Sequence, residues 1–174
     1  MIPQLPGWVW FSVVREPISK FQSGVHEAKH QNSELRNYTS DELLSLQLKR
    51  SVGSWVNEHL MPSSCRLSVR AANGMAVLNV TFKLESVVKD MTHFAFKGGG
   101  KFIGSELSTP QRSFFHNLAN QFNKSIVRSS SELDKRGTNS YQTTNRLSKK
   151  GVEAFSTSWL YEGDFDLFQY TRWA

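Results

Sequence analysis

An apolar run from Trp8 to Val14 (W-V-W-F-S-V-V) follows Pro6-Gly7. With no regular polar alternation, it predicts a short strand buried on both faces, as in a parallel sheet. Pro17 then suits the first turn of a helix. Ile18, Phe21 and Val25 recur at helical spacing, which predicts a helix over Pro17 to Lys29. The opening unit is strand, short turn, helix.

His30 to Tyr38 is polar and reads as a loop. Thr39-Ser40-Asp41-Glu42 offers a capping box, with Thr39 as cap and Glu42 three residues on. Leu44, Leu48, Val52, Trp55 and Val56 share one helical face, predicting a helix that runs to His59, before Pro62. Met75 to Leu84 mixes β-branched and apolar residues after Asn73-Gly74 and reads as a second strand. Ser86 to Phe96 predicts a short helix stopped by Gly98-Gly99-Gly100, and Thr109-Pro110 precedes another over Gln111 to Asn123. Ser125 to Ser148 is polar and reads as a loop. Leu147 to Leu160 predicts a last helix, followed by an aromatic tail from Tyr161 to Tyr170. No internal repeat is visible. Two strands with four or five helices define an α/β layer, short of strands for a complete sheet.

At 174 residues the chain suits one domain over 1–174. Twelve Phe and five Trp supply a packed core, which excludes wholesale disorder. A net charge of +6 favours anionic partners, or is simply a solvated surface. Cys65 is the single cysteine, so no intrachain disulfide forms. A lone cysteine in S-S-C-R-L suits a small buried hydrophobe better than a catalytic thiol. Nothing approaches the ~18–20 apolar residues of a membrane span. The first residues lack the basic region of a signal peptide, so the chain as written is expected to be soluble.

Arg15 lies at the carboxyl end of the first predicted strand, where open α/β sheets bind ligands. Ser23 stands eight residues later, about two helical turns along. A guanidinium matches phosphate oxygens with a planar fork and stays charged at any working pH, and a serine hydroxyl adds a neutral donor. A nearby helix N-terminus adds partial positive charge, from which Glu16 subtracts. The bland alternative is a surface arginine and a solvent-facing serine.

The order of features is long: apolar strand, Arg15, Glu16, Pro17, two residues, Lys20, two residues, Ser23. It resembles the 3′-phosphate-binding motif of sulfotransferases that use 3′-phosphoadenosine 5′-phosphosulfate (PAPS), particularly the Golgi carbohydrate sulfotransferases, with Glu16 for the usual Asp and Lys20 for the usual Arg. Asn57 to Leu67 is similar to that family's H-W-x-P-Q segment and its following cysteine, with Leu60 in place of Trp. Phe82-Lys83-Leu84-Glu85 with Lys89-Asp90 is similar to its K-L-E strand end, and Asn123-Lys124-Ser125 to its N-K-S segment. Tyr161-x-x-Asp164-Phe165-x-Leu167-Phe168-x-Tyr170 resembles its closing motif. The similarity spans Val13 to Tyr170, with the first and last motifs the specific ones.

The resemblance implies a P-loop-NTPase-like fold, a parallel sheet flanked by helices, expected here to be incomplete at its N-terminus. It implies PAPS as co-substrate without a metal, a carbohydrate or proteoglycan acceptor, and residence in the Golgi lumen as a membrane-anchored protein. Arg15 and Ser23 match the two residues that hold the 3′-phosphate. The family's P-K-x-[GA]-[ST]-[ST] turn, which cradles the 5′-phosphosulfate, would lie dozens of residues upstream, and only fourteen residues precede Arg15 here. Gly98-Gly99-Gly100-Lys101 does not replace it, because Phe102 follows where Ser or Thr is needed. The chain therefore reads as the C-terminal part of a sulfotransferase, either shortened or degenerate. In the degenerate case it would bind nucleotide or anionic glycan only.

Sulfuryl transfer also needs a base for the acceptor hydroxyl. His26, His30, His59, His93 and His116 qualify by type, and His59 leads because it falls in the H-x-x-P segment; Glu58 is weaker. Arg66, Arg70, Lys124, Arg128 and Arg136 could meet an anionic glycan or form an ordinary solvated surface. The basic residues are dispersed and no zinc, RNP or helix-turn-helix signature is present, which speaks against nucleic acid.

Overall fold

The apolar run becomes strand β1 over Phe11–Val14 and pairs in parallel with β2, Val80–Lys83. Phe11 faces Val80 and Val14 faces Lys83 in the register. These come from a computed structural model of the chain, which describes residues 9–51, 53–67, 80–98, 106–135 and 145–172, with 97–98 and 127–135 as backbone only. The described residues form an α/β protein, mostly helical, with this small two-stranded sheet flanked by helices. The chain divides into two compact units: Met1–Val14 with Ser68–Thr138, and Arg15–Leu67 with Asn139–Ala174.

In the first unit the parallel pairing requires a crossover, so the strands are distant in sequence. Val80 and Phe82 alternate into the core, where they meet α4 (Val87–His93) and α5 (Thr109–Lys135). Phe94, in a π turn that continues α4 through Gly98, packs edge-on against Phe82 and Phe115 at centroid distances of 5.5 and 4.9 Å. Such edge-to-face pairs match ring edges to ring faces. Helix α5 outruns its expected end at Asn123, and residues 125–135 of the expected loop are helical. Extending an anchored helix is far easier than starting one, so a buried first half, with Phe115 and Ala119 in the core, carries the polar continuation. The expected strand start at Met75 and the residues Gly99, Gly100 and Lys101 lie outside the described residues.

The second unit holds α1 (Pro17–Gln31), α2 (Ser40–Leu48), α3 (Ser63–Leu67), α6 (Lys149–Ser156) and α7 (Trp159–Phe168). Its core joins Ile18, Phe21 and Val25 of α1 to Leu43, Phe155, Tyr161 and Phe165. The capping box at Thr39 and Glu42 forms as expected. Helix α2, however, stops at Leu48 rather than reaching His59. The chain turns back through Gly53 in the left-handed region, at φ 88°, and Val56 N–H donates to the Gln47 side chain at 2.9 Å. Trp55 and Val56 still reach the core, but by folding back, so their helical spacing misled. The expected last helix breaks at Thr157-Ser158, and the aromatic tail is helical: Leu160, Tyr161, Asp164, Phe165 and Phe168 form the buried stripe of α7. Gln169 ends it in a left-handed conformation, with its N–H on the Phe165 carbonyl.

Candidate functional site

Helix α1 starts at Pro17 because Glu16 caps it. The Glu16 carboxylate accepts from the Ile18 and Ser19 N–H groups at 3.0 and 2.7 Å. Those first-turn amides are therefore occupied by the chain's own anion, and a phosphate at this end depends on side-chain donors. Ile18, Phe21, Gly24, Val25 and Ala28 are buried, which turns Ser19, Ser23, His26 and His30 outward on the opposite face. Arg15 and Ser23 are both exposed, and neither makes a hydrogen bond or ion pair with another described residue. His26 and His30 share that face with Ser23, a grouping the α1 periodicity already contained.

The other sequence motifs of this unit close on one another. Gly24 lies so close to the 58–60 turn that a Cβ there would sit 2.3 Å from the His59 carbonyl oxygen. Tyr161 Oη donates to the Leu60 carbonyl at 2.7 Å. Lys20 Nζ donates to the Met61 carbonyl. Asp164 accepts from the Ser63 and Ser64 N–H groups at 2.8 and 2.6 Å. The Leu60 and Met61 carbonyls and the Ser63 and Ser64 amides are thus met by Lys20 of α1 and by Tyr161 and Asp164 of α7.

Burial sets the electrostatics of this clasp. Desolvation lowers the Lys20 pKa to about 8, with Asp164 opposing the shift and Arg66 adding to it. Desolvation pushes the Tyr161 phenol well above its usual range, reinforced by Asp164. Burial raises the Cys65 thiol, which is no activated nucleophile.

His59 is half-buried beside this clasp. Its Nε2 is 3.1 Å from Gln31 Oε1, while Gln31 Nε2 donates to Glu27 Oε1 at 2.9 Å. Turning the Gln31 amide over would set its oxygen against the Glu27 carboxylate, so the oxygen faces His59. Nε2 is then the donor, and in a neutral ring Nδ1 carries the lone pair. Glu58 Oε1, 3.9 Å from Nε2, favours the same form. Arg66 donates to the Glu58 carbonyl at 3.0 Å.

His93 and Lys124 belong to the first unit, as does His116, whose ring packs 5.5 Å from Phe96. An open apolar groove of about 680 Å³ there is lined by Leu84, Val87, Phe96 and Ile126, with Lys89 and His93 at its polar edge. Arg70, Arg136 and the Arg128 side chain lie outside the described residues. Among the described residues no three His, Cys, Asp or Glu side chains gather as a metal site, and no helix is long and apolar enough to cross a membrane. No family model matches this chain, nor does any curated protein or solved structure.

Proposed function

We propose that this chain belongs to a P-loop-like, PAPS-dependent carbohydrate sulfotransferase of the Golgi lumen, with Arg15 and Ser23 as its 3′-phosphate grip. The observation that carries the reading is the clasp: Lys20 of the R-E-P-x-x-K stretch, the H-x-x-P segment and the Y-x-x-D-F motif, scattered along the sequence, are bonded to one another through the backbone from Leu60 to Ser64. That joint fit is hard to obtain from chance matches. Arg15, just before the Glu16 cap, and Ser23, on the solvent-facing side of α1, are exposed and have no other described partner, so both side chains are available to a ligand.

In the reaction, the acceptor hydroxyl oxygen bonds to sulfur, the bond from sulfur to the 5′-phosphate oxygen breaks, and adenosine 3′,5′-bisphosphate leaves with the electron pair. His59 Nδ1 takes the hydroxyl proton, with Gln31 holding the tautomer. The 5′-phosphosulfate turn, P-K-x-[GA]-[ST]-[ST], does not read anywhere in these 174 residues. A second reading is binding of the nucleotide or an anionic glycan without transfer, for which the exposed Arg15 and Ser23 suffice.

Calorimetric titration with adenosine 3′,5′-bisphosphate tests the grip. Loss of one charge-assisted contact in Arg15→Ala is expected to weaken binding by about 1.5–3 kcal/mol, and adenosine 5′-monophosphate is expected to bind the parent protein as weakly. Equal binding by parent and variant, or no preference for the 3′-phosphate, overturns the role of Arg15.

A further inference from the structure

Three Asn-x-Ser/Thr sequons occur: Asn37-Tyr38-Thr39, Asn79-Val80-Thr81 and Asn123-Lys124-Ser125. From their surroundings we infer that Asn37 is the acceptor of an N-linked glycan; this rests on the lumenal residence contained in the proposed function. Asn37, Tyr38 and Thr39 are all exposed, in the non-helical link between the turn at Ser33–Leu35 and α2. The Asn37 amide has no hydrogen-bond partner among the described residues. A glycan here extends into solvent without displacing a core contact, as a bulky surface modification must.

The other two sequons are poorer. Asn123 is exposed but sits inside the 27-residue helix α5, and its hydroxyl partner is a serine. Threonine is stiffer at χ1, which presents its hydroxyl to the asparagine in fewer conformations. The Asn79 sequon runs directly into β2, where Val80 is buried.

The step joins Asn37 Nδ2 to the anomeric carbon of a lipid-diphosphate-linked oligosaccharide. The carbon–oxygen bond to the diphosphate breaks, the lipid diphosphate leaves with the electron pair, and the amide proton passes to a base of the transferase. Thr39 serves twice. Its hydroxyl completes the sequon in the nascent chain, and after folding it accepts from Glu42 N–H at 3.2 Å as the α2 cap. Glycosylation must therefore precede closure of the cap.

The test translates the full chain behind a cleavable signal peptide with endoplasmic-reticulum microsomes and scores the protease-protected fraction. One upward mobility shift, removed by peptide-N-glycanase, is expected. Asn37→Gln should abolish it, and Asn123→Gln should leave it. Thr39→Asn separates the two roles of Thr39: asparagine is a good helix cap that sets no charge against Glu42 but destroys the sequon, so the shift should vanish while the thermal midpoint holds. No shift in the parent chain, or one that survives Asn37→Gln, overturns the inference. Nucleotide binding is read separately by calorimetry, so a glycosylated chain that ignores adenosine 3′,5′-bisphosphate refutes only the sulfotransferase reading.

Discussion

Asp164 and Ser63 lie 101 residues apart in the chain and are joined by a 2.8 Å hydrogen bond from the Ser63 amide to the buried carboxylate. The second oxygen of Asp164 takes the Ser64 amide, so one side chain of α7 fixes the start of α3. The expected family-like segments at the two ends of this unit are, physically, one joint.

Asp164→Ala leaves two amides without an acceptor, and the expected loss of stability is about 2–5 kcal/mol. Asp166→Ala is the control. Asp166 meets Arg172 at 2.6 Å, but both side chains are largely in water, so the loss should stay below about 1 kcal/mol. Urea titration of both variants checks this, and equal losses would remove Asp164 from its structural role.

At Gly24 a methyl group would meet the His59 carbonyl, a backbone oxygen that cannot rotate away. Gly24→Ala is therefore expected to destabilise by about 2–3 kcal/mol, despite the better helix propensity of alanine. At Gly163 the added Cβ would sit 3.1 Å from the Ser64 hydroxyl, which can turn aside. Gly163→Ala should change stability by less than about 1 kcal/mol. Comparable thermal midpoints for the two variants would contradict the close approach of α1 to the 58–60 turn.

Lys20 predicts a pH dependence of unusual sign. Its folded pKa of about 8 lies below the ordinary 10.5. Between those values the unfolded chain binds more protons, so the Lys20 contribution makes stability rise with pH. The full gain is on the order of 3 kcal/mol. Cys65 and Tyr161 act oppositely. Their folded pKa values are raised, so stability falls as the unfolded thiol and phenol ionise, above about pH 9 and 10. The clean window is therefore about pH 7 to 9. There, Lys20→Met should flatten the rise seen in the parent protein by denaturant titration. Parallel profiles would mean that Lys20 is not desolvated.

Much of the local structure was legible from sequence. Pro17 with Ile18, Phe21 and Val25 forecast α1, and Thr39 with Glu42 forecast the cap of α2, because both signals depend on neighbours a few residues away; the Glu16 cap of α1 was not foreseen. The same spacing logic failed from Leu48 to His59. Apolar residues there satisfy the core by folding back through Gly53, and periodicity does not distinguish that from a continuing helix. The aromatic tail failed in the other direction: Leu160, Tyr161, Phe165 and Phe168 are helical in spacing but were masked by the polar residues between them. His59 was legible as a candidate, whereas Glu27 and Gln31, which set its tautomer, were not.

Taken alone, the sequence determined where α1 and the capped start of α2 begin, which face of α1 is apolar, and that Ser23 lies two turns beyond Arg15. Those properties are written in contacts a few residues apart. Only the tertiary structure decided what the distant motifs do to each other. Asp164 reaches Ser63 and Ser64, Tyr161 reaches Leu60, and Gly24 yields room for the His59 carbonyl. The reason is that buried backbone groups must find partners wherever packing brings them. Pairing between elements a hundred residues apart is set by the shape of the whole core rather than by any local signal.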